Sequence, residues 1–283
     1  MSYFKNHWSH ADSFNGEENE YIKSFLHNDY SIDFHTHSFY EINIVLAGFG
    51  QHFIEGMSCD AARGCVFVIP PGVRHSYENY GNLDVHHILV HRDFLDKYFS
   101  EFTKNAGFCL LFEIEPYLRA QYHENLFLTL SEDELSLVLF DLDFIEKCKS
   151  LVDAELYINA AAKKLLAYFC MLISSRFDST PLHTEEKKEL LSITDCLSFI
   201  HQNFEEKLTI TTLSERCKMA RATFVRHFTK ICGMPPYKYI LEYRLKMARK
   251  YMDDTDLNLT EIAALCGFYD AAHLRKCLKS EKK

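Results

Sequence analysis

Three histidines and one glutamate stand at spacings that suit the binding of a metal ion or a polar small molecule. They are His35, His37, Glu41 and His75. Residues two apart on a β-strand point to the same side, so His35, His37 and Glu41 share one face if the strand stays in register. His75, on a later strand or turn, completes the set. Three neutral imidazoles and one carboxylate are donors that suit Zn, Mn, Fe, Ni or Cu.

The segment from 32 to about 90 has the pattern of a β domain. Short β-branched stretches at 42–46 and 65–69 are separated by turn signals such as Gly48, Gly64 and Gly72. Several short strands at this spacing predict a sandwich or a barrel. Additional side chains on these strands are weaker candidates for lining a pocket: Tyr40, Asn43 and His52.

The chain has 283 residues, which is enough for about two domains. The net charge of −9 is unevenly divided, because residues 1–185 carry −14 and residues 186–283 carry +5. A polyanion is repelled by the first part and attracted by the second, so the two parts are expected to meet different partners. No apolar run approaches the ~18–20 residues of a membrane span. We expect a cytoplasmic protein with reduced cysteines and no membrane partner.

Two amphipathic helices are predicted after the β domain, within residues 131–173. Ser131 and Glu134 have the spacing of a capping box, and the segment from 154 to 173 has high helix propensity. These helices could cap the β domain or form the seam of a homodimer, and the sequence leaves both open. The polar segment 174–188, which contains Pro181, is predicted to be a linker.

The basic C-terminal part predicts a helix-turn-helix. A short helix fits 212–217, a tight turn fits 218–219, and a second helix fits 220–230 with Phe224 and Phe228 facing inward. Arg226 is the best candidate for contacting a base, because Arg can bind guanine through two hydrogen bonds. The predicted DNA-binding side chains of this helix are Arg221, Ala222, Thr223, Val225, Arg226, Thr229 and Lys230.

A second, weaker copy of this unit follows a long helix predicted over 236–252. Residues 259–266 parallel the first short helix, Gly267 and Phe268 make the turn, and 270–279 parallel the second helix with Asp270 as its N-cap. Two such units on one side suit successive major grooves, ~34 Å apart. The predicted DNA-binding side chains here are Ala271, Ala272, Arg275 and Lys276.

The first part of the chain resembles the cupin superfamily. The first cupin motif matches from His35 to Glu41 and on to Gly48, and the second matches from Gly64 through His75 to Asn79. The resemblance implies a double-stranded β-helix of six to eight strands with a pocket inside. In metal-binding cupins the positions of His35, His37, Glu41 and His75 hold the ion, whereas ligand-sensing cupins often keep such residues without metal.

Residues 190–280 resemble the DNA-binding domain of the AraC/XylS family of bacterial transcription regulators. The first unit matches at Leu213, Ser214, Phe224, Arg226, Phe228, Gly233, Pro235, Tyr239, Arg244, Leu245 and Ala248. The second matches at Ile262, Ala263, Cys266, Gly267, Phe268 and Lys279. Family members usually continue with a Gly-x-x-Pro-x-x-Tyr-Arg segment and a closing helix, and here Leu278 and Lys276 replace the usual Phe and Arg. We therefore expect the first unit to supply most of the DNA affinity.

Together these observations predict an α+β protein with a cupin barrel over 1–130, helices over 131–173, a linker over 174–188 and a DNA-binding domain over 189–283. The resemblance implies a regulator that is not an enzyme. We expect it to bind promoter DNA as a homodimer, to sense a small molecule such as a sugar or glycoside, and to contact RNA polymerase if it is an activator. The alternatives are a metal-dependent cupin enzyme, which leaves the helix-turn-helix units unexplained, and a truncated regulator that binds DNA poorly.

Overall fold

The computed structural model describes residues 7–8, 21–54, 57–98, 105–115, 128–177 and 184–280. The chain divides into two compact units, Met1–Pro181 and Leu182–Lys283. The first unit holds the β-strands and the second is helical.

The first unit is built on a seven-stranded, largely antiparallel sheet. Its strands are β1 (His7–Trp8), β2 (Ile22–His27), β3 (Ile32–His37), β4 (Tyr40–Ile54), β5 (Met57–Ala62), β6 (Val66–Ile69) and β7 (His75–Val90). The two long strands organise the rest, because β4 pairs with β5, β6 and β7, while β7 also pairs with β2 and β3. Strand count and topology agree with the predicted cupin fold.

The register between β4 and β7 positions the candidate site. Glu41 lies opposite Leu89, Asn43 opposite His87 and His52 opposite Tyr77. Successive side chains alternate between the two faces of a strand, so Glu41 and Asn43 share a face. That face is turned inward, since the side chain of Asn43 donates to the hydroxyl of Tyr77, which belongs to the apolar core of the sheet.

Part of the segment predicted as barrel is helical. After β7 the chain forms α1 (Arg92–Tyr98), the short α2 (Ala106–Phe108) and a π-helical segment, Cys109–Ile114. The apolar run 108–112 is almost completely buried. A short buried apolar run does not distinguish strand from helix by its periodicity, and so the sequence did not separate this segment from the strands.

The two predicted amphipathic helices are confirmed as α3 (Glu132–Cys148) and α4 (Ala154–Arg176). Ser131 and Glu134 form the predicted capping box at the start of α3. The helices pack on each other, and a 2.7 Å ion pair between Lys164 Nζ and Asp141 joins them. By length and composition α4 could cross a membrane, but half of its most apolar window is buried inside the protein, as in a core helix.

The second unit consists of helices only, in the part of it that the structure describes. They are α5 (Thr184–Gln202), α6 (Ile210–Arg216), α7 (Arg221–Cys232), α8 (Pro236–Asp254), α9 (Leu259–Leu265) and α10 (Ala271–Ser280). Helical structure reaches into both ends of the predicted linker, through Arg176 and from Thr184, and residues 178–183 lie outside the described part of the chain.

The two short helices α6 and α9 end in the same way. Lys218 and Gly267 both have positive φ, at 53° and 68°. The next amide donates backwards over five residues in each copy, from Met219 to Ser214 and from Phe268 to Ala263, both at 2.9 Å. This is the hydrogen bond of a Schellman turn. The weak duplication seen in the sequence is therefore a duplication of backbone structure.

Candidate functional site

The structure brings the four predicted ligands together. Two imidazole nitrogens, Nε2 of His37 and Nε2 of His75, lie 3.1 and 3.2 Å from Oε2 of Glu41. The rings of His35 and His75 are 4.1 Å apart between centroids. Donor atoms of His35, Glu41 and His75 lie within 4.8 Å of one another, and all four side chains are buried. The four residues of the two cupin motifs thus lie together, although Glu41 is on β4 and not on the strand that carries His35 and His37.

Backbone carbonyls fix the orientation of all three imidazoles. Nδ1 of His35, His37 and His75 donates to the carbonyls of Asp33, Phe39 and Val73, at 2.9, 2.7 and 3.2 Å respectively. In a neutral imidazole with its proton on Nδ1, the other nitrogen, Nε2, carries a lone pair. The lone pairs of His37 and His75 therefore face the carboxylate of Glu41. Such an arrangement is attractive only when a cation or a second proton lies between the groups.

Glu41 remains ionised despite complete burial. Burial raises the pKa of the Glu41 carboxyl group, but the surrounding imidazoles of His37, His75 and His87 outweigh burial and hold that pKa well below its ordinary value. Burial, followed by the neighbouring His75, lowers the pKa of His35 to about 4. The cluster thus holds one fixed negative charge and at least one imidazole that stays neutral at physiological pH.

These residues fit a divalent cation. Neutral imidazoles whose other nitrogen donates to a backbone carbonyl are the usual form of histidine ligands to metals. The carboxylate supplies a negative charge inside the same group of donors. His35, His37, Glu41 and His75 would hold the ion, and the bound ion would supply an electrophilic site for a polar ligand.

Sequence reasoning missed His87. Its Nδ1 lies 2.7 Å from Oε1 of Glu41, the shortest contact of that carboxylate among the described residues. His87 lies on β7, next to His86 in the sequence, and its parity on the strand could have placed it inside once the pairing with Asn43 was known.

The structure places the weaker pocket candidates on opposite faces of the sheet. Asn43 and His52 are fully buried inside the sheet, and the ring of His52 stacks on Tyr77 at 4.3 Å. The prediction of Tyr40 as a pocket residue needs correction. Tyr40 precedes the inward-facing Glu41, so alternation turns it to the opposite face, where its ring packs edge-on against Phe112.

The first predicted DNA-binding helix is α7. Phe224 and Phe228 are completely buried, as predicted, and anchor the helix in its unit. The opposite side is presented to solvent. Its exposed side chains are Arg221, Ala222, Arg226 and Lys230, and its half-buried ones are Thr223, Val225 and Thr229. The hydroxyl of Thr229 donates to the carbonyl of Val225 at 2.7 Å, so it can only accept from another donor.

The second predicted DNA-binding helix, α10, is arranged similarly. Leu274 is buried, Ala272, Arg275 and Lys276 are exposed, and Ala271 is half-buried. Asp270 caps the helix by accepting from the amide of His273 at 2.7 Å, which confirms the predicted N-cap. The preceding Tyr269, not singled out from the sequence, is 92% exposed.

Arg244 of α8 links the two helix-turn-helix units. Its guanidinium donates to the carbonyls of Phe204 and Glu206, at 2.7 and 2.6 Å. A Cβ atom added at Gly267 would lie 2.8 Å from the same guanidinium. Arg244 therefore holds the segment before α6 beside the turn after α9, and only a glycine leaves room for it.

Both units match families of known domains. Residues 21–135 match the AraC-like ligand-binding domain, and residues 213–282 match a helix-turn-helix domain. The chain is 26% identical over 251 residues to the HTH-type transcriptional activator RhaS of Mannheimia succiniciproducens, a match that covers 87% of this chain and 85% of the relative. RhaS of Yersinia pestis bv. Antiqua is 25% identical over 247 residues, with the same coverage.

Among solved structures, an AraC-type regulator from Chromobacterium violaceum is 27% identical, with a TM-score of 0.31. That match covers 32% of this chain and 82% of the other. ToxT from Vibrio cholerae is 12% identical over 92% of this chain and 94% of its own, with a TM-score of 0.36.

A ligand-binding β domain followed by two helix-turn-helix units defines a ligand-responsive, DNA-binding transcription regulator. The chain belongs to the AraC family of such regulators, on the two domain matches and the relatives that span nearly its whole length.

Proposed function

We propose that this regulator senses a small neutral carbohydrate in the β domain and controls a promoter through α7 and α10. The observation that supports a polar effector is the buried cluster around Glu41, which contains many hydrogen-bonding groups in the interior of the sheet. A purely apolar effector would leave these groups without compensation. The regulator acts in the cytoplasm, where the DNA is, and does not act as an enzyme.

Fluorescence anisotropy with DNA from upstream of the protein's own gene tests this proposal. We expect an affinity that falls steeply with salt concentration, because Lys and Arg side chains displace counterions from phosphates. A monosaccharide that binds the protein should change this affinity at constant salt. An affinity that no monosaccharide alters would contradict the carbohydrate part, and the absence of salt-dependent DNA binding would contradict the whole.

We further propose that the regulator is a homodimer joined through α3. One side of this helix exposes an apolar stripe that includes Leu137 (59% exposed), Phe140 (69%) and Phe144 (42%). The first turn of α3 is acidic, and its last turn carries Lys147. A second copy packed antiparallel on the stripe places acidic against basic ends. Sedimentation of Phe140→Asp should give a monomer where the wild type gives a dimer.

Activation through RNA polymerase is the proposed outcome at the promoter, since the relatives are named as transcriptional activators. In-vitro transcription from the same upstream DNA, with and without the protein, distinguishes activation from repression. The proposal also includes a divalent cation, Zn, Mn, Fe or Ni, held by His35, His37, Glu41 and His75, because their donors converge as described above.

A further inference from the structure

Arg226 on α7 is held by the side chain that follows it in the sequence. Nη2 of Arg226 lies 3.2 Å from Nε2 of His227, within hydrogen-bonding distance. A guanidinium group carries only donors, so Arg226 donates and Nε2 of His227 accepts. Consecutive residues lie about 100° apart around a helix axis, so this contact draws the arginine to one side of the face that α7 presents to solvent.

Glu189 on α5 lies at the other nitrogen of the His227 ring. Nδ1 of His227 is 3.0 Å from Oε2 of Glu189. Because Nε2 accepts from Arg226, a neutral imidazole carries its proton on Nδ1, the nitrogen next to the carboxylate. The negative charge of Glu189 therefore stabilises the tautomer in which His227 can accept from the arginine.

The histidine is anchored inside the unit, whereas the arginine reaches solvent. The side chains of His227 and Glu189 are 15% and 38% exposed, and Arg226 is exposed. His227 directly precedes Phe228, which is completely buried and fixes this turn of α7. Since α5 and α7 pack on each other, the three polar side chains form a series that runs from the supporting helix to the solvent-facing side of α7.

The second helix-turn-helix unit has other residue types at the corresponding positions. Counted from the first residue of each helix, α10 has Lys276 and Cys277 where α7 has Arg226 and His227. An ammonium group cannot present the two parallel donors of a guanidinium, and a thiol is only a weak acceptor. The arrangement is therefore a property of the first unit.

A guanidinium whose direction is fixed before DNA binds favours a base over a phosphate. A mobile arginine can reach phosphates in many conformations, whereas two hydrogen bonds to O6 and N7 of guanine require one orientation of its plane. His227 occupies one of the N–H donors of Arg226, and the others remain available to DNA. A group that is already held in its binding conformation loses less conformational entropy when it binds.

We propose that His227 is a positioning residue that sets the preference of Arg226 for a guanine base, with Glu189 holding the histidine in place. This inference rests on the proposed control of a promoter through α7 and names the residues by which that helix distinguishes one base pair from another. It makes the first helix-turn-helix unit the more selective of the two.

The test uses the full-length protein, the upstream DNA and copies of that DNA with single base-pair substitutions, compared by fluorescence anisotropy. The base pair that Arg226 contacts is the one whose substitution weakens binding by the wild type but not by Arg226→Ala. His227→Leu removes the acceptor and keeps a side chain of similar size. His227→Gln restores an amide oxygen that can accept from the arginine.

Two variants of α5 test the role of the carboxylate. Glu189→Ala removes the group beside Nδ1 of His227. Glu185→Ala is the matched control, because Glu185 lies one turn earlier on the same helix and pairs with Lys188 at 2.7 Å. The ratio of affinities for the original and the substituted base pair is measured for each protein.

We expect His227→Leu to reduce this ratio about fivefold and Glu189→Ala about threefold, a part of the discrimination that one bidentate contact provides. His227→Gln and Glu185→Ala should stay within about twofold of the wild type. In the Arg226→Ala background, His227→Leu should change the ratio no further, because the histidine acts through the arginine. A purely structural role of His227 would lower the affinity for every DNA by one factor in both backgrounds, and that result would overturn the proposal.

If His227→Leu does not fold, Glu189→Ala on the surface of α5 decides the question. An unchanged ratio in these variants, while Arg226→Ala loses discrimination, overturns this inference and leaves promoter control through α7 standing. If Arg226→Ala loses discrimination at no base pair, the base contact of Arg226 and this inference both fail. Absence of DNA binding by the wild type overturns the proposed function and this inference with it.

Discussion

Lys149 and Ser24, 125 residues apart in the sequence, are joined by a 2.8 Å hydrogen bond from the ammonium group to the backbone carbonyl. Lys149 caps the C-terminus of α3, and Ser24 lies on β2 directly before Phe25. The helix with the exposed apolar stripe is thereby tied to the strand that approaches His87. If a bound ligand displaces β2, this hydrogen bond would pass the displacement on to α3.

Lys149→Met keeps the length and apolar stem of the side chain but removes the donor. We expect the free energy of unfolding of the β domain to fall by about 1 kcal/mol, the usual value of one hydrogen bond. We also expect a bound sugar to change DNA affinity less than in the wild type. Denaturant unfolding and anisotropy measure the two effects. Lys147→Met, which removes a surface ion pair with Asp143, is the control and should change neither.

The stability of the β domain should depend on the protonation of His86. Burial, followed by the neighbouring His87 and Lys149, lowers the pKa of His86 to about 4, and Glu146 opposes this shift. Between pH 6.5 and about 4 the unfolded chain binds a proton that the folded protein does not, so stability is complete above pH 6.5 and falls as the pH decreases. The loss attributable to this group amounts to about 3 kcal/mol.

His86→Gln retains a partner for Ser24 Oγ, which lies 2.7 Å from Nε2 of His86, but does not titrate. Unfolding free energies measured from pH 7 to pH 4.5 should therefore fall less steeply in this variant. The contribution of His35 is common to both proteins and cancels in the comparison. Parallel pH profiles would show that His86 does not behave as described.

Arg226→Ala should lower the affinity for the upstream DNA by ~1–3 kcal/mol and have little effect on random DNA, because its guanidinium is exposed on α7 where it can contact a base. Lys230→Ala should weaken both DNAs similarly and reduce the salt slope by about one, as expected for a phosphate contact. Lys188→Ala, on α5 outside both helix-turn-helix units, is the control. A uniform loss in Arg226→Ala would assign that residue to the phosphate backbone.

The metal-free protein should bind about one equivalent of Co²⁺, visible as absorption from the coordinated ion. Glu41→Gln removes the charge at the centre of the imidazole cluster and should weaken this binding at least tenfold. His91→Asn, outside the cluster, should leave it unchanged. Absorption that is equally strong in Glu41→Gln would place the ion elsewhere in the chain.

Gly267→Ala should lower the free energy of unfolding of the helical unit by about 1–3 kcal/mol. The position has φ of +68°, and an added Cβ would lie 2.6 Å from the carbonyl oxygen of Glu205 as well as against Arg244. Gly72→Ala tests the conformational part alone, since its φ is +81° but nothing lies within 4 Å of an added Cβ. We expect the Gly72 variant to lose the smaller amount, about 1 kcal/mol, in thermal unfolding.

The sequence predicted well whatever depends on local periodicity or on a motif. The shared side of His35 and His37 on β3, the capping box at Ser131 and both helix-turn-helix units follow from spacing over short distances, whereas Glu41 on β4 and His75 on β7 were assigned through the two cupin motifs. These features depend on the geometry of a single strand or helix, or on a motif of fixed length.

Features that depend on the register between strands distant in the sequence could not be predicted from the sequence alone. His87 becomes a partner of Glu41 only through the register of β4 with β7, and Tyr40 is turned outward by the same alternation that turns Glu41 inward. If the register of β4 with β7 shifted by one residue, the side chains that point inward would point outward and the reverse. No local sequence signal fixes that register. The π-helical segment at 109–114 was missed because tertiary packing decides the structure of so short an apolar run.

The cysteine positions allow a spectroscopic probe to be attached to α10, the second predicted DNA-binding helix. None of the ten cysteines is in a disulfide, nine are buried, and Cys277 on α10 is the half-buried exception. A maleimide fluorophore should therefore react first at Cys277 in the native protein, without mutagenesis. Its emission on adding promoter DNA would report whether α10 enters the complex, separately from α7.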